Sequence, residues 1–144
     1  MSVARARIWH LPALLGILWA TTRANGPVAR ARYEDAVALG KLVLQGKVLF
    51  WRKQAGVRAF LARDGIRLHA LYACPKWRRQ GAGAALLTAA QAEIERLELY
   101  TAEANDGARQ FYARHGFREV RRGFGAGNDE GVPDIFMTWE RGVR

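Results

Sequence analysis

The sequence predicts a mixed α/β fold, with a β-sheet of about six to seven strands flanked by about four helices. Two observations predict it. Segments with helical spacing of apolar residues alternate with short strand-like runs, and Lys47–Ala73 contains three such runs in succession. The element order β-α-α-β-β-β-α-β-α-β-β is typical of a mixed sheet with helices on its faces. No linker or repeat interrupts the chain, so we expect a single domain over residues 1–144.

The N-terminal segment predicts a short strand, Val3–Ile8, followed by a helix with Pro12 in its first turn. Ile8–Ala20 is mostly apolar and follows two arginines, so it also resembles a short signal peptide. It is too short to span a bilayer, and His10 and Pro12 interrupt it. We therefore favour the helix and expect a cytoplasmic protein with no membrane contact. Its predicted apolar face consists of Leu14, Leu15, Leu18 and Trp19.

A second helix is expected from Arg32 to about Gln45, with Val37, Leu42 and Leu44 among its apolar residues. A meander of three strands follows, and Asp64-Gly65 is a strong hairpin signal between the last two. Its strands are predicted at Lys47–Arg52, Val57–Arg63 and Arg67–Ala73.

The C-terminal half predicts two more helices and three more strands. Gly81 and Gly83 open a helix, and Asn105 is suited to the N-cap of the next one, which Gly116 ends. The buried stripe of the first is predicted as Leu86, Leu87, Ala90, Ile94 and Leu97, and that of the second as Ala108, Phe111, Tyr112 and His115. The strands are expected at Glu98–Thr101, Phe117–Arg121 and Asp134–Trp139, the last two joined by the glycine-rich loop Gly123–Gly131.

The net charge of +10 raises the question of an anionic partner. Basic residues are spread along the chain rather than gathered into one stripe with interleaved aromatics, so nucleic-acid binding is not expected. A polyphosphate ligand would account for a local cluster such as Arg78–Arg79. The single cysteine, Cys74, excludes an intrachain disulfide, and the three histidines lack zinc-ligand spacing, so no metal is expected.

The most informative stretch runs from Leu71 to Ala84, where a strand ends at Pro75 and a basic turn leads through two glycines into a helix. The first turn of a helix presents unpaired N–H groups and a partial positive charge, and glycine lets phosphate oxygens approach the backbone. The stretch therefore suits a pyrophosphate. Two glycines at this spacing are equally typical of a tight turn between a strand and a helix.

Arg78-x-x-Gly81-x-Gly83 resembles the signature with which GNAT N-acetyltransferases hold the pyrophosphate of CoA. The resemblance implies a GNAT-like fold and acetyl-CoA as cosubstrate. It also implies that a backbone N–H near Leu71–Ala73 donates a hydrogen bond to the oxyanion of the tetrahedral intermediate formed during acetyl transfer. The residues that it implies for cofactor binding in this stretch are Leu71, Tyr72, Ala73, Arg78, Arg79, Gln80, Gly81, Ala82, Gly83 and Ala84.

A second, independent segment is similar to the same family. Its pattern comprises Asn105, Ala108, Phe111-Tyr112 and Gly116-Phe117. The resemblance implies that Tyr112 is the general acid that protonates the leaving thiolate, and that Asn105 contacts the pantetheine arm. Packing alone would also explain Tyr112, and helix capping alone would explain Asn105.

The resemblance implies an N-acetyltransferase that acts on a small-molecule or peptide amine. A CoA-binding module without robust catalysis and a basic nucleic-acid-binding protein are the alternatives. The acceptor is not identified, and the sequence leaves open whether the chain forms a homodimer. The acceptor side in the family is shaped by the first two helices and by the loop before the last strand. That loop contains Asn128, Asp129, Glu130 and Asp134, whose charge suits a cationic amine or is ordinary solvated charge.

The general base is not resolved. Many family members carry a glutamate at the position that Tyr100 occupies here. The family's general base therefore has no direct counterpart in this sequence. Glu98, Glu103 and His69 lie nearby in the predicted fold, and for each of them a solvated or salt-bridged side chain is the alternative. A water chain would also serve.

Overall fold

The computed structural model describes residues 2–22, 29–123 and 133–142. These residues form seven strands and four α-helices in the order that the sequence predicts. The chain divides into two compact units, Met1–Ala90 and Gln91–Arg144, so the single-domain interpretation stays a prediction. The elements are β1 (Ser2–Arg5), α1 (Leu11–Thr22), α2 (Ala29–Leu44), β2 (Val48–Lys53), β3 (Gly56–Asp64), β4 (Arg67–Ala73), α3 (Ala82–Glu93), β5 (Arg96–Ala102), α4 (Asp106–Arg114), β6 (Arg118–Gly123) and β7 (Asp134–Glu140).

In the first unit, β1, β2, β3 and β4 pair in that order, each antiparallel to the next. Side chains of successive strand residues alternate between the two faces, so Val48 and Phe50 share one face. Both are buried in a core cluster with α1 and α2. The helices contribute their own buried side chains to this cluster, among them Leu14, Leu15, Ile17, Leu39 and Val43.

The sequence places apolar residues on α2 without assigning a buried face, and the structure assigns that face. Val37 and Leu44 are 41% and 74% exposed, whereas Leu39 and Val43 are buried. The helix starts at Ala29 rather than Arg32, and small or apolar residues surround much of its circumference. Spacing alone therefore does not fix which side of it faces the sheet. The prediction for α1 holds better, since Pro12 lies in its first turn and Leu14 and Leu15 are buried.

In the second unit, β7 pairs antiparallel with both β5 and β6, and α4 connects β5 to β6. The buried apolar side chains of this unit's sheet region come from β5, from β7 and from Phe117, just before β6. They are Leu97, Leu99, Phe117, Ile135, Phe136 and Met137. The predicted stripe of α3 is too long. The helix ends at Glu93, so Ile94 lies beyond it and Leu97 is buried in β5.

Arg141 explains where α3 ends. Its Nη2 donates to the carbonyl oxygens of Gln91, Ala92 and Ile94 at 3.0–3.2 Å. The last carbonyls of a helix lack partners within the helix and carry partial negative charge. A guanidinium there donates the missing hydrogen bonds and offsets the negative charge. Among the helices of the described ranges, none is long and apolar enough to cross a membrane.

Candidate functional site

The end of β4 is held against β3. Tyr72 pairs with Phe60 and Ala73 with Ala59, and the Cys74 N–H continues the contact by donating to the Arg58 carbonyl oxygen at 2.8 Å. A 3₁₀ turn, Pro75–Trp77, then takes the chain out of the sheet. The strand thus ends where Pro75 removes a ladder donor, as the sequence predicts.

Tyr72 faces the α1–α2 side of the first unit. Its ring packs edge-on against Phe60 with the centroids 6.0 Å apart, and it borders the core cluster described above. Burial raises the pKa of the Tyr72 phenol, and the negative charge of Asp35 raises it further. Asp35 itself accepts a hydrogen bond from the Trp19 indole N–H at 3.1 Å. At neutral pH Tyr72 is therefore a protonated phenol.

The loop between β4 and α3 contains two residues with left-handed backbone, Arg79 at φ +62° and Gly81 at φ +86°. Gly81 adopts this conformation without strain, whereas for an arginine it costs about 1–2 kcal/mol. The Gly81 carbonyl oxygen accepts from the Ala85 N–H at 3.0 Å, which is the first hydrogen bond of α3. The loop is thus turned so that the chain enters α3 directly after Gly81, the first glycine of the motif.

The first turn of α3 consists of Ala82, Gly83 and Ala84, and it contains no acidic side chain. Its N–H groups have no acceptor within the helix, and the three residues themselves carry only a methyl group or a hydrogen as side chain. The helix dipole adds a partial positive charge at this end. This arrangement can bind an anion with the backbone alone. Arg78, Arg79 and Gln80, which precede it, are exposed.

The second unit contains the other predicted site residues. The Asn105 Oδ1 accepts from the Ala108 N–H at 3.1 Å, so the predicted N-cap of α4 is present. Seven residues on, the half-buried Tyr112 ring lies between two aromatic rings, with centroids 5.2 Å from Phe111 and 5.4 Å from Phe117. The predicted stripe of α4 is only half-buried, because no residue of this helix is fully enclosed.

The C-terminal end of α4 is fixed by three contacts. Gly116 follows the helix at φ +90°, the conformation expected of a C′ glycine. The His115 ring lies 4.5 Å from the Phe111 ring and its Nδ1 is 2.9 Å from the Phe111 carbonyl oxygen. The Gln91 side chain donates to the His115 carbonyl oxygen at 2.9 Å. The helix that carries Tyr112 is therefore anchored at both ends.

The structure gives no clear preference among the residues considered as general base. Glu103 forms an ion pair with Arg122 at 2.9 Å, and Glu98 lies 3.9 Å from Arg96. The Tyr100 hydroxyl accepts from the Arg121 guanidinium at 3.2 Å. His69 is exposed on β4.

A cavity of about 680 Å³ lies in the first unit between α2 and the strands β3 and β4. Its lining is mostly apolar and includes Leu39, Phe60 and Ala62. Three carboxylates also line it, Glu34, Asp35 and Asp64, although the chain as a whole is strongly basic. Asp64 is paired with Lys47 at 2.8 Å.

The loop before β7 lies largely outside the described residues, including Asn128, Asp129 and Glu130, and only Asp134 of the predicted acidic set is described. Within the described ranges, no group of three or more potential ligands could hold a metal ion. Each unit thus brings one set of predicted site residues together. The first contains Leu71–Ala84 and the second contains Asn105 with Tyr112.

Sequence reasoning missed two features of the first unit. Asp35 acts on Tyr72 from α2, and the Lys53 ammonium donates to the Gln80 side chain at 2.6 Å from the end of β2. Both partners are distant in sequence from the loop. Only the strand pairing brings them to it, so no local motif could have indicated them.

Comparison with known proteins agrees with this geometry. A family model described as an acetyltransferase (GNAT) domain matches residues 44–141, about two thirds of the chain. Among solved structures, a GNAT-family acetyltransferase from Bacillus cereus has a TM-score of 0.81 at 18% identity, covering 99% of this chain and 98% of its own. A search of curated proteins finds no match.

Two further structures are similar in the same way. Ribosomal-protein-alanine N-acetyltransferase from Brucella melitensis has a TM-score of 0.78 at 19% identity, covering 97% of this chain and 99% of its own. PaiA N-acetyltransferase from Thermoplasma acidophilum, solved in complex with coenzyme A, has a TM-score of 0.71 at 18% identity, covering 96% and 98%. At such identities the likeness shows the fold, and it confirms the predicted fold class of a mixed sheet flanked by four helices.

Proposed function

Because the chain belongs to the GNAT acetyltransferase family, we propose that it binds acetyl-CoA and transfers the acetyl group to an amine by direct attack. The observation that carries this proposal is the entry into α3. There the left-handed Gly81 turns the chain into a first helical turn of small residues without a carboxylate. This is a backbone anion site, and the pyrophosphate of CoA is the anion that the motif predicts.

The residues present fit that group. A Cβ placed on Gly81 would meet no atom within 4 Å, so the loop is open above this glycine rather than packed against other side chains. We propose that phosphate oxygens approach the N–H groups of Ala82, Gly83 and Ala84 from this open side. We propose that Arg78 and Arg79 add charge at the rim, and that Gln80 and the backbone of Leu71–Ala73 complete the contact along the chain.

Asn105 is proposed to contact the pantetheine arm. The cap of α4 uses its Oδ1, and the side-chain amide N–H groups are the donors that it has for a ligand carbonyl. Capping and ligand contact are therefore compatible in one side chain.

We propose Tyr112 as the general acid. The acceptor nitrogen forms a bond to the acetyl carbon of the thioester, the carbon–sulfur bond breaks, and the Tyr112 phenol gives its proton to the departing sulfur. The proton that the amine loses goes to water or to a base that the structure does not single out. A positioned proton donor contributes about 10²–10⁴ in rate. Packing between Phe111 and Phe117 supports the role, because it restricts the ring that carries the donor.

The acceptor is proposed to be a cationic amine of a small molecule or a peptide. The family places the acceptor near the first two helices, and the cavity beside α2 carries Glu34 and Asp35 on a mostly apolar lining. Carboxylates in partly apolar surroundings attract an ammonium group more strongly than solvated ones do. We also propose a cytoplasmic location, supported by the burial of Leu14 and Ile17 of α1 in the core, since a cleaved signal peptide would not be part of it.

Release of free CoA thiol from acetyl-CoA tests the proposal. The acceptor panel comprises polyamines, aminoglycosides, amino acids and peptide N-termini, with a no-acceptor control for hydrolysis. We expect acceptor-dependent thiol release, fastest with multiply charged amines. Tight CoA binding without turnover on any amine would instead support a CoA-binding module. The absence of both binding and turnover would refute the proposal.

A further inference from the structure

A cluster of two cations and two indole rings borders the entry into α3. The Lys53 ammonium, at the end of β2, donates to the Gln80 Oε1 at 2.6 Å and lies 5.8 Å and 5.9 Å from the ring centroids of Trp51 and Trp77. The Arg58 guanidinium lies 4.5 Å from the Trp77 centroid. Gln80 directly precedes Gly81, so this cluster, Lys53–Arg58–Trp77, flanks the predicted pyrophosphate loop.

Arg58 is held in place by the hairpin between β2 and β3. Its Nε donates to the Lys53 carbonyl oxygen at 3.0 Å, and its Nη2 to that of Gln54 at 3.4 Å. Gly56 provides the space, because a Cβ there would lie 2.5 Å from the Arg58 Cζ. Gln54 itself has a φ of +53°, a conformation that non-glycine residues rarely adopt. The turn and the guanidinium therefore form one pre-arranged unit.

The charges of the cluster are not balanced within the protein. In the described ranges, neither Lys53 nor Arg58 has a carboxylate within 4.0 Å, whereas Lys47, just before the same strand, is paired with Asp64. Two cations over one Trp77 ring repel each other, and aromatic faces offset only part of that cost. A doubly charged anion would remove the repulsion and gain charge-assisted hydrogen bonds from both side chains.

We propose that the Lys53–Arg58–Trp77 cluster binds the 3′-phosphate of CoA. This proposal rests on the proposed function, because it assumes that the pyrophosphate occupies the adjoining loop. In the covalent structure of CoA the 3′-phosphate is one ribose away from the pyrophosphate, so a group that holds it must flank the loop, as Gln80 and Lys53 do. A phosphate monoester carries nearly two charges at neutral pH. The cluster would thus distinguish CoA from 3′-dephospho-CoA.

The test is the ratio of the affinities for CoA and 3′-dephospho-CoA, measured by calorimetry on three proteins. The wild type should bind CoA about tenfold more tightly, which corresponds to about 1.4 kcal/mol. Lys53→Met keeps an apolar stem of similar length and removes the charge together with the hydrogen bond to Gln80. It should reduce the ratio to about threefold or less, with 3′-dephospho-CoA affinity nearly unchanged. Lys47→Met, at the opposite end of the same strand, makes the same change in net charge and should keep the wild-type ratio.

Two results would overturn the inference alone. The first is a wild type that binds CoA and 3′-dephospho-CoA equally well, and the second is a Lys53→Met protein that keeps the wild-type ratio or loses affinity for both ligands equally. A wild type that binds neither ligand would refute the proposed function, and the inference with it. Thermal melting of each variant separates a loss of binding from a loss of the fold.

Discussion

Gly83 offers the sharpest perturbation of the loop, because it is the second residue of α3 and lies in the turn proposed to hold the pyrophosphate. Gly83→Asp places a carboxylate among the N–H donors. With the two charges about 5 Å apart and an effective dielectric constant of roughly 20–80, repulsion amounts to about 1–3 kcal/mol for each phosphate charge. The affinity for CoA should therefore fall by at least tenfold, since about 1.4 kcal/mol corresponds to that factor.

Gly83→Ala is the matched control. It adds the Cβ without the charge, and alanine in a helix is favoured over glycine by roughly 0.5–1 kcal/mol. Aspartate in the first turn is also favourable to the helix, because it interacts with the dipole. Both variants should consequently fold and melt near or above the wild-type temperature. We expect Gly83→Ala to bind CoA within about threefold of wild type, since the family signature accepts alanine at this position.

Calorimetric titration with CoA, accompanied by thermal melting, measures both effects. A folded Gly83→Asp protein with wild-type affinity would show that the ligand does not lie on this turn. Equal losses of CoA affinity in the two variants would show that the added Cβ, and not the added charge, weakens binding. The expected electrostatic repulsion would then be wrong.

Four further predictions follow from the same geometry. Tyr112→Phe keeps the aromatic contacts, so the protein should melt normally and keep its KM for acetyl-CoA, while single-turnover acetyl transfer slows by about 10² or more; a wild-type rate would leave the ring a packing role only. Gly116→Ala places a Cβ 3.0 Å from the Trp139 ring at φ +90°, and should destabilise the fold by about 1–3 kcal/mol in urea unfolding. Because the pKa of Tyr72 is raised in the folded state, its contribution to stability is complete below about pH 10 and is lost as the pH rises through the folded pKa. The urea midpoint of Tyr72→Phe should therefore fall less between pH 9 and pH 11 than the wild-type midpoint does. An equal fall in both proteins would show that other groups cause it. The +10 charge should give only weak, salt-sensitive binding of duplex DNA, so submicromolar affinity near 0.2 M salt would contradict the assignment.

The order of elements could be predicted from the sequence because each boundary has a local cause. The strand β4 was placed at its observed bounds, Arg67–Ala73, since Asp64-Gly65 precedes it and Pro75 follows. The Asn105 cap and the C′ conformation of Gly116 depend on neighbouring residues alone, and both are present. Such signals need no knowledge of tertiary contacts.

The errors arose where tertiary contacts decide. The end of α3 depends on Arg141, which lies near the C-terminus and donates to the last carbonyl oxygens of the helix. The helical spacing of apolar residues gives no sign of this end, because it continues past Glu93 to Leu97. The buried face of α2 likewise depends on tertiary packing, because small or apolar residues surround much of its circumference. The cluster beside the loop was not predicted, because Lys53 and Gln80 are 27 residues apart and meet only through the β2–β3–β4 meander.

The measurement that tests the central claim most directly is the mass of the product formed from acetyl-CoA labelled in its acetyl group. Wild-type protein is incubated with this donor and with the amine that gives the fastest thiol release. The account predicts one labelled acetyl group on the acceptor in a bond that resists hydroxylamine, as an amide does, in amounts equal to the CoA released. Release of CoA with labelled acetate and an unmodified acceptor would contradict it, because the chain would then be a thioester hydrolase.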